Sequence, residues 1–355
     1  MPFRATGLQL SNRCDETMTD SKKNENYINH LFKGMLCRAP RESELVHWVG
    51  KLKRMDDPRL IAEQIVASAE YKRIEARRKP LFVEPGHFYS PIVDVEQVRA
   101  RYGQQQPNVA PEAIRIDASA MLALWDDLLP FLNDIPFPNK ADPNFRYYFH
   151  NPAFGIGDGS VLHAMLRLFR PKRLVEVGSG YSSACSIETI DRYLDGDVDV
   201  SFVEPYPALL QKLLGQDRLA RCMVHTTGVQ DTDMSVFKAL EWGDILFIDS
   251  THVMKTGSDV CHELFEVLPA LKPGVLVHFH DIFWPFEYGS KWVVEDNRSW
   301  NEIYGLRAFL MYNEAFEIVF FNDWFARNQA DVIKADYPKM LNNSGGSIWL
   351  RKVSG

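Results

Sequence analysis

The most restrictive feature of this sequence is an alternation. From Pro152 onward, short apolar runs of strand length are separated by amphipathic segments of helix length. Strands read at Arg173–Val177, Val198–Glu204, Cys222–Thr227, Asp244–Asp249 and Gly274–His280. Helices read at Gly159–Phe169, Ser182–Leu194, Pro207–Leu214 and Ser258–Leu271. Strands alternating with helices imply a parallel sheet with crossover helices on its faces. Two further runs, Phe316–Phe321 and Gly345–Lys352, have no helix-length pattern clearly between them and predict an antiparallel pair at the sheet edge. The expected class is therefore α/β, a doubly wound seven-stranded sheet, mostly parallel, with a terminal antiparallel hairpin.

The preceding chain divides differently. Residues 1–25 are polar and predict a disordered tail. Over residues 26–79, Leu45, Trp48, Val49 and Leu52 fall at helical spacing, as do Ile61, Ile65, Val66 and Ala69, predicting a small bundle of three helices. Residues 80–150 form a proline-rich lead-in with one amphipathic helix at Ala118–Leu132, and 151–355 hold the α/β domain. A net charge of -7 argues against a nucleic-acid binder, and no apolar run is long enough to span a bilayer. Five scattered cysteines without a C-x-x-C pair fit reduced thiols in a cytoplasmic protein.

Chemistry concentrates where the first strand ends, in Arg173–Ser186, "RLVEVGSGYSSACS". In a doubly wound sheet, ligands sit at the carboxyl ends of the strands. Gly178 and Gly180 let a ligand approach the backbone closely. Glu204, at the tip of the second strand, has the position of an acid that accepts from ribose hydroxyls. A nicotinamide dinucleotide fits less well, because Ser183 stands where its third small residue belongs and Glu176 would repel a pyrophosphate. The same carboxylate suits a cationic ammonium or sulfonium, which favours S-adenosylmethionine.

From about Tyr147 onward, the chain resembles the class I S-adenosylmethionine-dependent methyltransferases. The likeness is greatest to a bacterial branch with O-methyltransferase-like and cephalosporin-hydroxylase-like members. The residues that carry it are "VEVGSGYSS", "FVEPYP", "GDILFIDSTHVMKTGSDV", "LKPGVLVHFHDIFWP" and "GGSIWLRK". The resemblance implies that Glu176, Gly178, Ser179 and Gly180 line the methionine end of the cofactor. It implies that Glu204 takes the ribose hydroxyls, with Pro205 and Tyr206 beside the adenosine and Gln230 and Asp231 near the adenine amino group. The segment from Tyr27 to Lys72 resembles a short helical domain of unknown function found in bacterial surface and glycan-related proteins, which points to an interaction or self-association role.

An alcohol acceptor needs its proton removed, by a base or with a metal. Asp249 and His252, and His278, His280 and Asp281, close two neighbouring strands. Asp249, His280 and Asp281 match positions where catechol-type methyltransferases carry magnesium ligands. His280 departs from that all-oxygen set and suits a softer divalent ion. Metal-free base catalysis by His252 or His280, with Asp281 or Asp249 orienting it, stays open. So does an oxygenase built on His278, His280 and a carboxylate, and a non-catalytic binding protein. Tyr89, Tyr147, Tyr148, Trp300, Asn301, Glu302 and Tyr304 are candidates for the wall of a small-molecule or saccharide acceptor site; Glu302 and Arg307 could equally pair on a helix surface.

Overall fold

In the computed structural model, residues 20–55, 57–77, 82–102 and 113–354 are described. The chain divides into two units, residues 1–84 and 85–355. Most of the expected tail, residues 1–19, lies outside the described residues, and a helix already begins at Asp20. The first unit has four helices among its described residues rather than three: Asp20–Leu36, Glu42–Leu52, Arg59–Ala67 and Ala69–Arg77. The extra break falls at Ser68, whose extended backbone ends one helix while its Oγ accepts from the Tyr71 amide and caps the next. Ile28, Phe32, Val49, Leu52, Ile61 and Ile65 form the core of this bundle.

The second unit is built on a sheet of β1 (Arg173–Val177), β2 (Asp199–Val203), β3 (Met223–His225), β4 (Ile245–Ile248), β5 (Leu276–Phe279), β6 (Phe316–Phe321) and β7 (Ile348–Lys352). The spatial order is β3-β2-β1-β4-β5-β7-β6. β1 to β5 are parallel, and β7 runs antiparallel to both β5 and β6. The pair expected at the sheet edge is present, but two short helices, Asn322–Asn328 and Ala330–Asp336, lie between its strands. Their seven-residue length is too short to leave a clear helical period in the sequence. β4 and β5 are buried along their whole length, as parallel strands covered on both faces must be. Among the described residues no helix is long and apolar enough to cross a membrane.

Helices Ala118–Leu132, Ile156–Phe169 and Tyr181–Tyr193 pack in succession beside the sheet. Asp117 caps the first through the Ala120 amide, and Trp125, wholly buried, donates its Nε1–H to Asp336. The second helix is buried from Ile156 to Leu166 and is pinned at its start, where the Gly157 amide donates to Asn343 O at 2.9 Å. A Cβ on Gly157 would lie 2.0 Å from Ser344 O, so helix and loop meet backbone to backbone. A Gly157→Ala substitution is therefore expected to cost at least about 2 kcal/mol, because neither side can turn a side chain away. The measurement is the urea midpoint; an unchanged value would mean that the loop gives way freely.

Candidate active site

Hydrogen bonding between strands continues one residue past four of the five parallel strands, β1, β2, β4 and β5. The Gly178 amide donates to Val203 O, Asp249 to Val177 O, Glu204 to His225 O and His280 to Ile248 O, at 2.9–3.0 Å. The register thus sets Gly178, Glu204, Asp249 and His280 in one row along the carboxyl edge of the sheet. The row spans β1 and β4, where the strand order reverses. Gly178 has φ +78, and a Cβ there would lie 1.8 Å from Asp249 O. Only glycine allows β1 to turn that tightly against β4.

The turn after β1 is organised by two carboxylates. Glu176 is fully buried; its Oε1 accepts from Ser182 Oγ at 2.6 Å and from Ser183 Oγ at 2.9 Å. Its Oε2 has no partner among the described residues. Burial pushes the Glu176 carboxyl up to about 8, against the pull of the two serine hydroxyls. Glu204 accepts from the Ser179 amide at 2.9 Å and the Tyr206 amide at 2.7 Å, so it ties the two turns together. A Cβ on Gly180 would meet only the Leu209 side chain, at an ordinary contact distance of 3.8 Å, so the backbone there is not crowded. Pro205 and Tyr206 are exposed beside it. Gln230 and Asp231, in the turn Val229–Asp231, are also exposed, and Gln230 donates to Gly257 O.

The second part of the site is a cluster of acids and imidazoles. His252 Nδ1 lies 2.7 Å from Glu302, and its Nε2 lies 3.5 Å from both Asp249 and Asp281. His280 Nδ1 faces Asp249 at 3.3 Å and Asp281 at 3.6 Å, while Nε2 faces Asp158 at 3.6 Å. Burial alone would lower both imidazoles. The bonds from Asp249 and Glu302 instead lift His252 to about 10, and the charges of Asp281 and Asp249 lift His280 well above its usual range. Burial would raise Asp249, but His280 and His252 hold it well below the carboxylate range. Burial does raise Asp281 and Glu302 despite the same imidazoles. Asp249, His280 and Asp281 can bring one donor atom each within 4.8 Å of one another, a set able to hold a metal ion. His252 and Asp281 both have left-handed backbones, φ +61 and +58, the kind of local strain that collects at functional sites.

Several expectations change. His278 shares a strand face with His280 but stays out of the cluster. It is wholly buried, stacks on Phe247 at 3.9 Å, and bonds through Nε2 to Ser347 Oγ. Burial drives it well below the usual imidazole range, so it is neutral, and it is not among the donors that converge with His280, which does not favour a two-histidine iron site. Glu302 is buried against His252 instead of pairing with Arg307 on a helix surface. Tyr147 is fully buried, with its hydroxyl on Phe154 O and Gly155 O, and is no acceptor wall. Tyr89 is two-thirds exposed beside Phe88, and Tyr304 donates to Glu287. Trp300 does border the cluster, 4.4 Å from the His252 ring, and Asn301 clamps the chain after His252 by bonding both polar groups of Met254. Asp158 and Glu263 were missed. Glycines at 155, 157 and 159 around an acid were the one sequence sign of a crowded backbone at Asp158. Glu263, wholly buried and bonded to Ser250, begins a π-helical turn that no sequence period reveals.

Since ordinary glutamate stays near 4.5 in an unfolded chain, folding disfavours ionised Glu176. Its contribution to stability is full below that value and is lost as pH rises through about 8. Relative to Glu176→Gln, which keeps an acceptor for both serines, wild-type stability should fall by up to about 1.4 kcal/mol per pH unit across that window. Parallel pH profiles of chemical unfolding would oppose this if they ran level.

Residues 175–282 match the family described as a methyltransferase domain, and residues 5–74 match a domain of unknown function. An uncharacterised protein of Archaeoglobus fulgidus is 29% identical over 163 residues, covering 44% of this chain and 73% of its own. Similar solved structures include the S-adenosylhomocysteine-bound methyltransferase PaMTH1 of Podospora anserina. It is 14% identical, with a TM-score of 0.36, covering 76% of this chain and 98% of that one. The O-methyltransferase TomG of Streptomyces achromogenes, involved in tomaymycin synthesis and solved with S-adenosylmethionine, is 14% identical at a TM-score of 0.34. The coverage is 73% of this chain and 96% of that one.

Proposed function

We propose that this chain, whose residues 175–282 match a methyltransferase-domain family, is an S-adenosylmethionine-dependent enzyme that O-methylates a hydroxyl on a small or glycan-type acceptor. The observation that carries the proposal is one of adjacency. The glycine turn tied to Glu204 and the acid–imidazole cluster end neighbouring strands, in backbone contact through Gly178 and Asp249. The residues fit the cofactor. The unpartnered Oε2 of Glu176 can take a cationic group, and the uncrowded turn at Gly180 leaves backbone for an amino acid moiety to approach. Gly178 and Ser179 would complete that end. Glu204, with lone pairs to spare beyond its two amide bonds, would accept from a ribose diol. Pro205 and Tyr206 would flank the adenosine, and Gln230 and Asp231 the adenine edge.

When bound, the sulfonium supplies an electrophilic methyl group for in-line displacement. The protein's part is to hold the acceptor oxygen in line and to take its proton. Glu302 fixes Nδ1 of His252, so Nε2 is the nitrogen turned toward Asp249 and Asp281. That Nε2 would take the proton of the acceptor hydroxyl. His252 serves as a base only once positive charge enters the cluster, since its surrounding carboxylates otherwise keep it protonated. Trp300, packed between His252 and the Arg298 guanidinium, would border the acceptor as part of an aromatic wall, which suits a sugar or an aromatic ring.

One observation favours a second, compatible reading with a divalent metal. Four carboxylates, Asp158, Asp249, Asp281 and Glu302, surround two imidazoles. That excess of acids, with three donors converging, suits a divalent ion on Asp249, His280 and Asp281, softer than magnesium because one donor is nitrogen. The ion would draw the acceptor hydroxyl toward ionisation.

Calorimetric titration with S-adenosylhomocysteine should show micromolar binding by the wild type and at least about tenfold weaker binding by Glu204→Ala, since a paired diol bond is worth over 1.4 kcal/mol. Absence of binding to the wild type would sink the methyltransferase reading. Turnover is to be followed as S-adenosylhomocysteine release over a panel of hydroxylated sugars and phenols. There His252→Ala should lower kcat by about 10²–10⁴ while leaving S-adenosylhomocysteine affinity intact; undiminished kcat removes His252 from the chemistry. Chelator treatment should abolish turnover, and manganese or zinc should restore it better than magnesium, if the metal reading holds.

A further inference from the structure

The cluster has a second tier that neither the family likeness nor strand-end reasoning points to. Asp158 sits in the first turn of the helix Ile156–Phe169 and is 4% exposed. Its Oδ1 accepts from the Gly346 amide at 2.9 Å and from Ser347 Oγ at 2.6 Å. Having donated its proton there, Ser347 Oγ is left to accept from His278, whose Nε2 lies 2.8 Å away. That settles the His278 tautomer as Nε2–H. The other carboxylate oxygen of Asp158 is turned to His280 Nε2. Hydrogen bonds therefore run from His278 through Ser347 to Asp158, whose other oxygen faces His280 at 3.6 Å.

The two sides of the His280 ring are unequal. On the Nδ1 side, Asp249 and Asp281 converge, next to the glycine turn. On the Nε2 side there is one carboxylate, held by two donors on its far oxygen and sealed from solvent. A histidine that binds a metal through one nitrogen characteristically gives its other N–H to a carboxylate, which fixes tautomer and ring direction. We infer that Asp158 is the positioning carboxylate of His280: once a cation in the cluster has displaced one ring proton, Asp158 keeps the other on Nε2 and leaves Nδ1 for the space shared with Asp249 and Asp281, where a divalent ion binds. His278 and Ser347 act further out, holding Asp158 in its rotamer. The inference rests on the metal reading above.

The test uses the full-length protein, cobalt(II) alone as probe, and Asp158→Asn. Asparagine keeps an oxygen for Gly346 and Ser347 but sets an NH₂ against His280 Nε2, driving the imidazole proton to Nδ1, where the ion must bind. Cobalt affinity, read from the visible ligand-field bands, should fall about 10–100-fold. In nitrogen-15 spectra recorded at a pH high enough for His280 to be neutral, the Nε2–H of the wild type should move to Nδ1 in the variant. S-adenosylhomocysteine binding reports that the variant is folded. Ser347→Ala, which loosens Asp158 without touching His280, should weaken cobalt a few-fold and provides the same test if Asp158→Asn does not fold. Equal cobalt affinity and unchanged His280 signals in these variants would overturn the assignment. A wild type that takes up no cobalt overturns the metal reading instead; the His280 tautomer then decides Asp158 by itself, and one insensitive to Asp158→Asn overturns its role.

Discussion

The Asp249 amide donates to Val177 O at 2.9 Å, one residue beyond the strands that carry it, and the amides of Gly178, Glu204 and His280 do the same on their neighbours. Parallel pairing fixes which residues stand abreast. These four bonds therefore decide that a glycine, two acids and an imidazole form a row rather than a scatter. Gly178 then matters for what it lacks. Its missing Cβ lets β1 and β4 close to a backbone contact, so the turn around Glu176 and the cluster around Asp249 become one site. Slipping either strand by a residue would send its functional side chains to the opposite face.

Charge is the second constraint. Isolated buried carboxylates are costly, and this protein gathers several where the dielectric is low. The imidazoles offset some of them: Asp249 lies below its usual range because His280 and His252 adjoin it. Asp281, Glu302 and Glu263 are shifted the other way, since burial and like charges outweigh what two imidazoles can neutralise. Such a cluster is poorly suited to holding a fold together and well suited to receiving a cation. The stacked His278 shows the contrast: equally buried, it faces a hydroxyl and an arene instead of acids, and stays neutral.

What the sequence disclosed and what it concealed follow from how far each signal travels along the chain. β1 to β5 announce themselves by local apolar runs, and strand-end residues such as Glu204 and His280 inherit their place from the topology. Glu302 was ambiguous because a surface pair with Arg307 and a buried pair with His252 look alike until the chain between residues 252 and 302 is folded. Tyr147 read as a candidate for the wall because an aromatic carries no mark of which way it faces. Asp158 gains its meaning from Ser347 and Gly346, nearly the whole domain away in sequence, and only packing brings them together. The two short helices between β6 and β7 lack the length to show a period.

β7 is the last of the seven strands in the sequence, yet it lies inside the sheet, between β5 and β6. During synthesis, β5 must therefore wait with an open edge while some seventy residues, 280 to 347, are made. Ser347 arrives with β7 and brings the hydroxyl that meets Asp158 and His278. A nascent chain halted before that point has the whole glycine turn but lacks the hydroxyl that holds Asp158 beside His280. Completion of the acid–imidazole cluster thus coincides with closure of the sheet, and the edge that β5 leaves open is the one that β7 fills.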